Sequence, residues 1–324
     1  MTDQPAHRQL WALSFCAFTV PAVLLLPRVG WLWAGLASLV CALVLLALFR
    51  LSASGETGIP QVASKSILGR YLLVASFLWN LLMLGAASRQ LCAAYPGGGI
   101  LIGGILLLLA SWGSSKGAAT VSRVGGITFF FLLIIYSIVL IFAIPGVKPN
   151  WLAPVREVEW IRLPAVLCPA LVFYLTGRGR PSSGRPWLWL AGGVLLVLAS
   201  GAICAGRLSP EVTGADPFPF YTMTQGISLL GVMERFEPLV SAAVSAGGFC
   251  LLSLLCLANQ TMVEKLRPTA KKLVPPVNFF AGFGAIWLSG LLSGGFLAVG
   301  TAIFWGLFPL LLLSLANRKK VEKN

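Results

Sequence analysis

The chain has 324 residues, of which 57% are hydrophobic and only 10% charged, and its formal net charge is +14. A soluble domain carries about 25% charged residues, so a soluble globular protein is excluded, and apolar runs of membrane-crossing length recur throughout the sequence. A membrane β-barrel would show period-two alternation, which is absent; what remains is an all-α polytopic membrane protein whose basic excess belongs to loops at a membrane surface and not to nucleic-acid binding.

The predicted elements are ten spans, at residues 10–26, 31–49, 71–91, 98–112, 125–144, 163–176, 187–206, 236–257, 277–292 and 296–316. His7 and Arg8 ahead of the first run resemble the start of a signal peptide, but Pro27, Arg28, Val29 and Gly30 follow in place of a small-residue cleavage site, so the run is read as a span. The fourth and sixth spans are short. The longest outer connection lies between the seventh and eighth. Its second half, Pro219 to Gly231, is apolar but studded with hydroxyls. It reads as a short helix lying over the outer face, with an ordered loop as the alternative. Ser293, Gly294 and Gly295 read as a tight turn joining the last two spans. An even number of spans puts both termini on one side. With the termini in the cytoplasm, 17 of the 24 Lys and Arg face inward, as the positive-inside rule requires.

The seven cysteines fall mostly in apolar runs, form no Cys-x-x-Cys pair and read as small buried residues. His7 is the sole histidine. Nothing in the sequence matches a phosphate loop, a metal cluster or a nucleophile with its base. The expectation is therefore a protein that is not an enzyme and needs no cofactor or metal.

In a bilayer, ligand sites form where a helix is interrupted and its freed backbone groups meet the ligand. Two prolines mark such places. Thr19, Val20, Pro21 and Ala22 lie within the first span, and Cys168, Pro169 and Ala170 lie within the sixth. Each proline alone also fits a simple kink. Their corresponding positions in two halves of five spans point to a ligand site. Intramembrane polar residues are few: Asn80 and Arg89 in the third span, Tyr136 and Ser137 in the fifth, Tyr174 and Thr176 in the sixth. Asn80 is a candidate to line the site or to join helices, and Arg89 to snorkel to the interface. The spacings Gly99/Gly103 and Ser241/Ser245 suit close helix packing.

The eighth span opens with three charges, Glu234, Arg235 and Glu237, ahead of Pro238. Acids in a first turn favour the positive end of the helix dipole, so solvated helix-start charge is one reading. The other is an outer-gate motif, in which Arg235 clamps the segment Pro219–Gly231 over the site. The sequence PFPFYTMTQGISLLGVMERFEPL, from Pro217 to Leu239, resembles a signature of the spore germination permeases, the B subunits of nutrient germinant receptors in endospore-forming bacteria. Pro219 to Tyr221, Ile227 with Ser228, and Glu234 to Glu237 carry the resemblance. The opening Gln9-Leu10-Trp11 and the closing Pro309-Leu-Leu-Leu-Leu313 followed by Arg318-Lys-Lys320 are also similar.

The resemblance implies the fold of the amino acid–polyamine–organocation superfamily. That fold has ten helices in two inverted five-helix repeats, here about 8–145 and 160–317 of one transmembrane domain. It implies a pocket between the first and sixth spans, lined by the third and eighth, for a small nutrient such as an amino acid. It also implies A and C subunits as partners, in the inner spore membrane or cell membrane. An autonomous amino acid transporter and a non-binding scaffold subunit are the alternatives.

Overall fold

The computed structural model describes residues 7–25, 30–53, 59–94, 99–152, 171–175, 186–227 and 237–321. The first half contains α1 (His7–Leu25), α2 (Trp31–Ala53), the short α3 (Ile59–Ala63), α4 (Ile67–Ala93), α5 (Gly99–Ser115) and α6 (Ala118–Ala143). The second contains α7 (Val172–Leu175), α8 (Pro186–Leu208), α9 (Pro210–Ala215), α10 (Pro219–Gln225), α11 (Glu237–Leu266), α12 (Val274–Leu291), α13 (Gly294–Thr301) and α14 (Phe308–Val321). Between α13 and α14 the helix continues through a π-helical stretch, Ala302–Leu307. The described residues contain no strand.

Seven helical segments are long and apolar enough to cross a membrane, and α5 adds a shorter apolar helix. The protein is thus an all-α polytopic membrane protein. Its helices expose leucine, isoleucine and phenylalanine along their outer faces, Ile127 and Phe130 on α6 and Phe280 and Leu291 on α12 among them, as contact with hydrocarbon requires. α11 is the exception. Its window is 67% buried, against 33–39% for the other six, and it packs against α1, α4, α5 and α6. It is the central post of the bundle.

Most boundaries follow local chemistry. Ser66 caps α4 by accepting from the Gly69 amide at 3.0 Å, the usual way to satisfy an orphan first-turn donor. α5 and α6 are joined through Gly117, whose φ of 97° favours glycine. Ser293 caps α13 through the Phe296 amide at 3.3 Å, so the tight turn expected there is present.

Two expectations need correction. The first span does not break at Thr19–Ala22: α1 stays helical from His7 to Leu25 across Pro21. A proline withholds only one donor, here the one that would serve the Ala17 carbonyl, and the helix continues past it; in the same turn the Thr19 hydroxyl donates to the Cys16 carbonyl at 3.3 Å. Second, the segment after Pro219 forms the expected helix, but α10 does not lie on a surface. Phe220, Met223 and Thr224 are buried, and α10 is wedged against α8, α11, α1 and α6. Residues 228–236, with Glu234 and Arg235, lie outside the described residues, as do Cys168, Pro169 and Ala170.

The closest helix pair is α4 with α12. A Cβ at Gly85 would strike the Ala285 backbone, whereas a Cβ at Gly284 would meet nothing within 4 Å. Gly85→Ala must therefore separate two backbones and should destabilise the bundle by about 1–3 kcal/mol, read as a fall in melting temperature in detergent. Gly284→Ala should leave the melting temperature unchanged.

Candidate functional site

The irregular backbone among the described residues lies in the last helix. Pro309 follows the π-helical stretch. In an α-helix its ring would clash with the Trp305 carbonyl four residues earlier. A π turn widens the helix and moves that carbonyl aside. The hydrogen bonding then leaves one group over. The Phe308 amide donates to the Ile303 carbonyl. The next carbonyl, Phe304, would need an amide at position 309, where proline has none. It accepts instead from the Tyr174 hydroxyl of α7 at 3.0 Å.

The same turn aims Trp305 at α4. Its indole N–H donates to Asn80 Oδ1 at 2.9 Å. Ser76 shares a helix face with Trp79, at i+3, and with Asn80, at i+4, while the adjacent Trp79 and Asn80 point about 100° apart. The Trp79 ring stacks on Phe304 with centroids 5.4 Å apart and meets Phe296 edge-on at 5.7 Å. Gly300 leaves room for that ring. Ser76, Trp79 and Asn80 are 1%, 7% and 1% exposed. Yet Trp79 Nε1 and Asn80 Nδ2 have no hydrogen-bond partner, and Ser76 Oγ faces the Tyr174 hydroxyl without closing a hydrogen bond. Two of these atoms only donate. The site therefore offers surplus donors in a buried position, where an unmet donor costs about 1–3 kcal/mol. An oxygen acceptor, such as a carboxylate or carbonyl, is what the arrangement can hold.

Of the residues expected at the ligand site, Thr19 and Asn80 are both buried, but they share no hydrogen-bond partner. Thr19 belongs to a second locus on α1 and α6. There the Tyr136 hydroxyl faces Thr19 without closing a hydrogen bond, and the Tyr136 ring meets Phe220 of α10 at 5.7 Å. α11 packs on both α1 and α4 and links the two loci. Val20, Pro21 and Ala22 are helical; their side chains, like that of Glu237, are outside the described residues.

α10 is held in place from the bundle's end. Arg207, in the last turn of α8, donates to the Gly226 carbonyl at 2.6 Å and to the Ala143 carbonyl at 3.2 Å. One guanidinium thus serves the C-terminal ends of α10 and α6, where helix dipoles favour a cation. The Tyr221 and Ser241 hydroxyls pair at 3.3 Å and tie α10 to α11. A clamp on this segment was expected from Arg235; Arg207 provides one. Arg89 is exposed in the last turns of α4, beside Gly290, as a snorkelling residue would be.

Sequence reasoning missed Ser76, Trp79 and Trp305. It also missed a buried asparagine pair, in which Asn259 donates to Asn278 at 2.9 Å and joins α11 to α12. Two signals were available. Ser76 and Asn80 stand at i and i+4, and Pro309 sits inside an apolar run with no other helix breaker nearer than Gly306.

Tyr174→Phe should cost about 1–3 kcal/mol, because the Phe304 carbonyl loses its donor. In a Pro309→Ala background, residue 309 regains an amide and the loss should shrink; a double-mutant cycle on melting temperature measures the coupling. Arg207→Met should weaken the α10 seat by about 2 kcal/mol, seen as roughly thirty-fold faster amide exchange across residues 219–226. No protein-family model matches the chain, and no curated protein is significantly similar to it.

Proposed function

We propose that the chain is the membrane subunit of a nutrient receptor with a transporter-like fold, the role implied by its resemblance to the spore germination permeases. It senses a small nutrient such as an amino acid and signals to partner chains of the A and C types. The reading includes ten spans with both termini in the cytoplasm, in the inner spore membrane or cell membrane.

The observation that carries the proposal is the pair of partnerless donors on α4. A buried group without a partner calls for an explanation, and a ligand carboxylate seated on Asn80 and Trp79 supplies one. Helix pairing supports the repeat architecture. Counting α1, α2, α4, α5 and α6 as spans one to five, and α7, α8, α11, α12 and α13–α14 as six to ten, span n corresponds to span n+5. The packing of α4 on α12 is then matched by that of α11 on α5, while α2·α8 and α4·α11 are each a helix with its own counterpart. The contact of α1 with α6 is matched by the bond from Tyr174 to Phe304. Such exchange is what two inverted five-helix repeats produce. A ligand bound between them signals by favouring one of two arrangements of the bundle.

The test is binding to the purified full chain in nanodiscs, screened with single amino acids by calorimetry and tryptophan fluorescence. Binding should be found, and Asn80→Leu should weaken it at least ten-fold, about 1.4 kcal/mol. Ala22→Leu should abolish it if the pocket reaches the first span. An unchanged affinity in Asn80→Leu would remove α4 from the site. Ion-driven uptake into proteoliposomes without partner chains would assign the protein to secondary transport instead. Co-purification with partner subunits but no response to any ligand would make it a scaffold.

A further inference from the structure

We infer that a groove between α1, α2 and α8 is a binding site for one anionic phospholipid, with an acyl chain in the groove and the phosphate on Arg8 and Arg50. The groove is a shallow, open-sided channel between the three helices. Phe15 and Phe18 of α1, Cys41 and Leu45 of α2, and Trp189 and Val194 of α8 line it. Its aromatic wall is braced from behind. Phe129 of α6 packs edge-on against Phe15 at 5.1 Å and against Trp189 at 4.7 Å, which keeps these rings from collapsing into the space. The hydroxyl of Ser38, also in the lining, is spent on the Ala34 carbonyl of its own helix at 2.7 Å. The lining thus presents hydrocarbon-like surface, which suits an alkyl chain and not a polar solute.

The end of the groove supplies charge. Trp11, a lining residue, packs ring to ring on Phe49 of α2 with centroids 6.1 Å apart. Arg8 lies one turn before Trp11, and Arg50 is next to Phe49. The ring contact therefore brings both arginines to the same end of the groove, and both are exposed. From Arg8 to Phe18 the axial distance is about 15 Å, roughly half the hydrocarbon thickness. That is the depth of one leaflet, the reach of a single acyl chain below its headgroup. Two exposed arginines at that end of the groove suit a phosphate, which arginine binds through paired N–H donors. Ordinary bilayer contact would not distinguish one headgroup from another; this site would.

The test uses the full chain purified in detergent. It is offered palmitoyl-oleoyl phosphatidylglycerol, the phosphatidylcholine with the same chains, or inorganic phosphate. Native mass spectrometry counts retained lipid, and melting temperature reads stabilisation. Phosphatidylglycerol should be retained as a single copy, at least five-fold over phosphatidylcholine, and inorganic phosphate should not stabilise. Each exposed arginine near an anionic surface is worth about five-fold in affinity. Arg8→Gln with Arg50→Gln should therefore abolish the preference while leaving phosphatidylcholine retention as it was. Ala42→Phe, which fills the slot, should reduce retention of both lipids. Equal retention of the two lipids by the wild type would overturn the site. So would undiminished phosphatidylglycerol binding in the arginine variant, or phosphate alone stabilising as much as the lipid. If Ala42→Phe does not fold, the arginine pair alone decides, since both residues are exposed.

Discussion

A backbone carbonyl inside a bilayer cannot turn to water for its hydrogen bond. In the last helix Pro309 withholds the amide that Phe304 would use, and the surrounding structure answers that deficit. The helix widens into a π turn, Tyr174 supplies the missing donor, and Trp305 swings onto Asn80. One imino acid thereby ties α7, α4 and the last helix together. The same arrangement leaves Asn80 Nδ2 and Trp79 Nε1 buried without partners. The site is a consequence of how the bundle repairs its own backbone, and its donor surplus follows from drawing Asn80's single oxygen into that repair.

The rule applies again at the end of the bundle. The last carbonyls of α6 and α10 find no further amide in their own helices. Arg207 meets both. Because α10 is wedged between α8 and α11 with Phe220 on Tyr136, its seating is linked to the α1–α6 locus that holds Thr19. α11 spans the interval between the two loci and is the most buried of the seven long apolar segments. Packing through α11 thus connects the α4 face to the segment at the bundle's end. That is the physical form a receptor with a transporter-like fold would need.

Seven of the expected spans were legible because hydrocarbon demands long apolar runs, and their boundaries mostly fall within several residues of the sequence reading. Asn80 was legible because an amide inside such a run is rare. The break at Pro21 was misread. The sequence shows that a donor is missing, but not whether the helix continues past it, and here it does. A clamp was expected at Arg235, which lies outside the described residues; Arg207, which the sequence reading did not single out, holds the same segment because the fold brings the Gly226 and Ala143 carbonyls within its reach.

By itself the sequence determined the class of protein and the course of most of its described helices, because these depend on composition and on the local cost of burying polar groups. Tertiary structure decided which of three prolines matters most. Pro21 is absorbed within its own helix, Pro169 lies outside the described residues, and Pro309 recruits Tyr174 from more than a hundred residues away. It also buried Ser76, Trp79 and Asn80 together between α4, α7 and the last helix. Which helix lies against them is set by long-range packing, and no local periodicity records it.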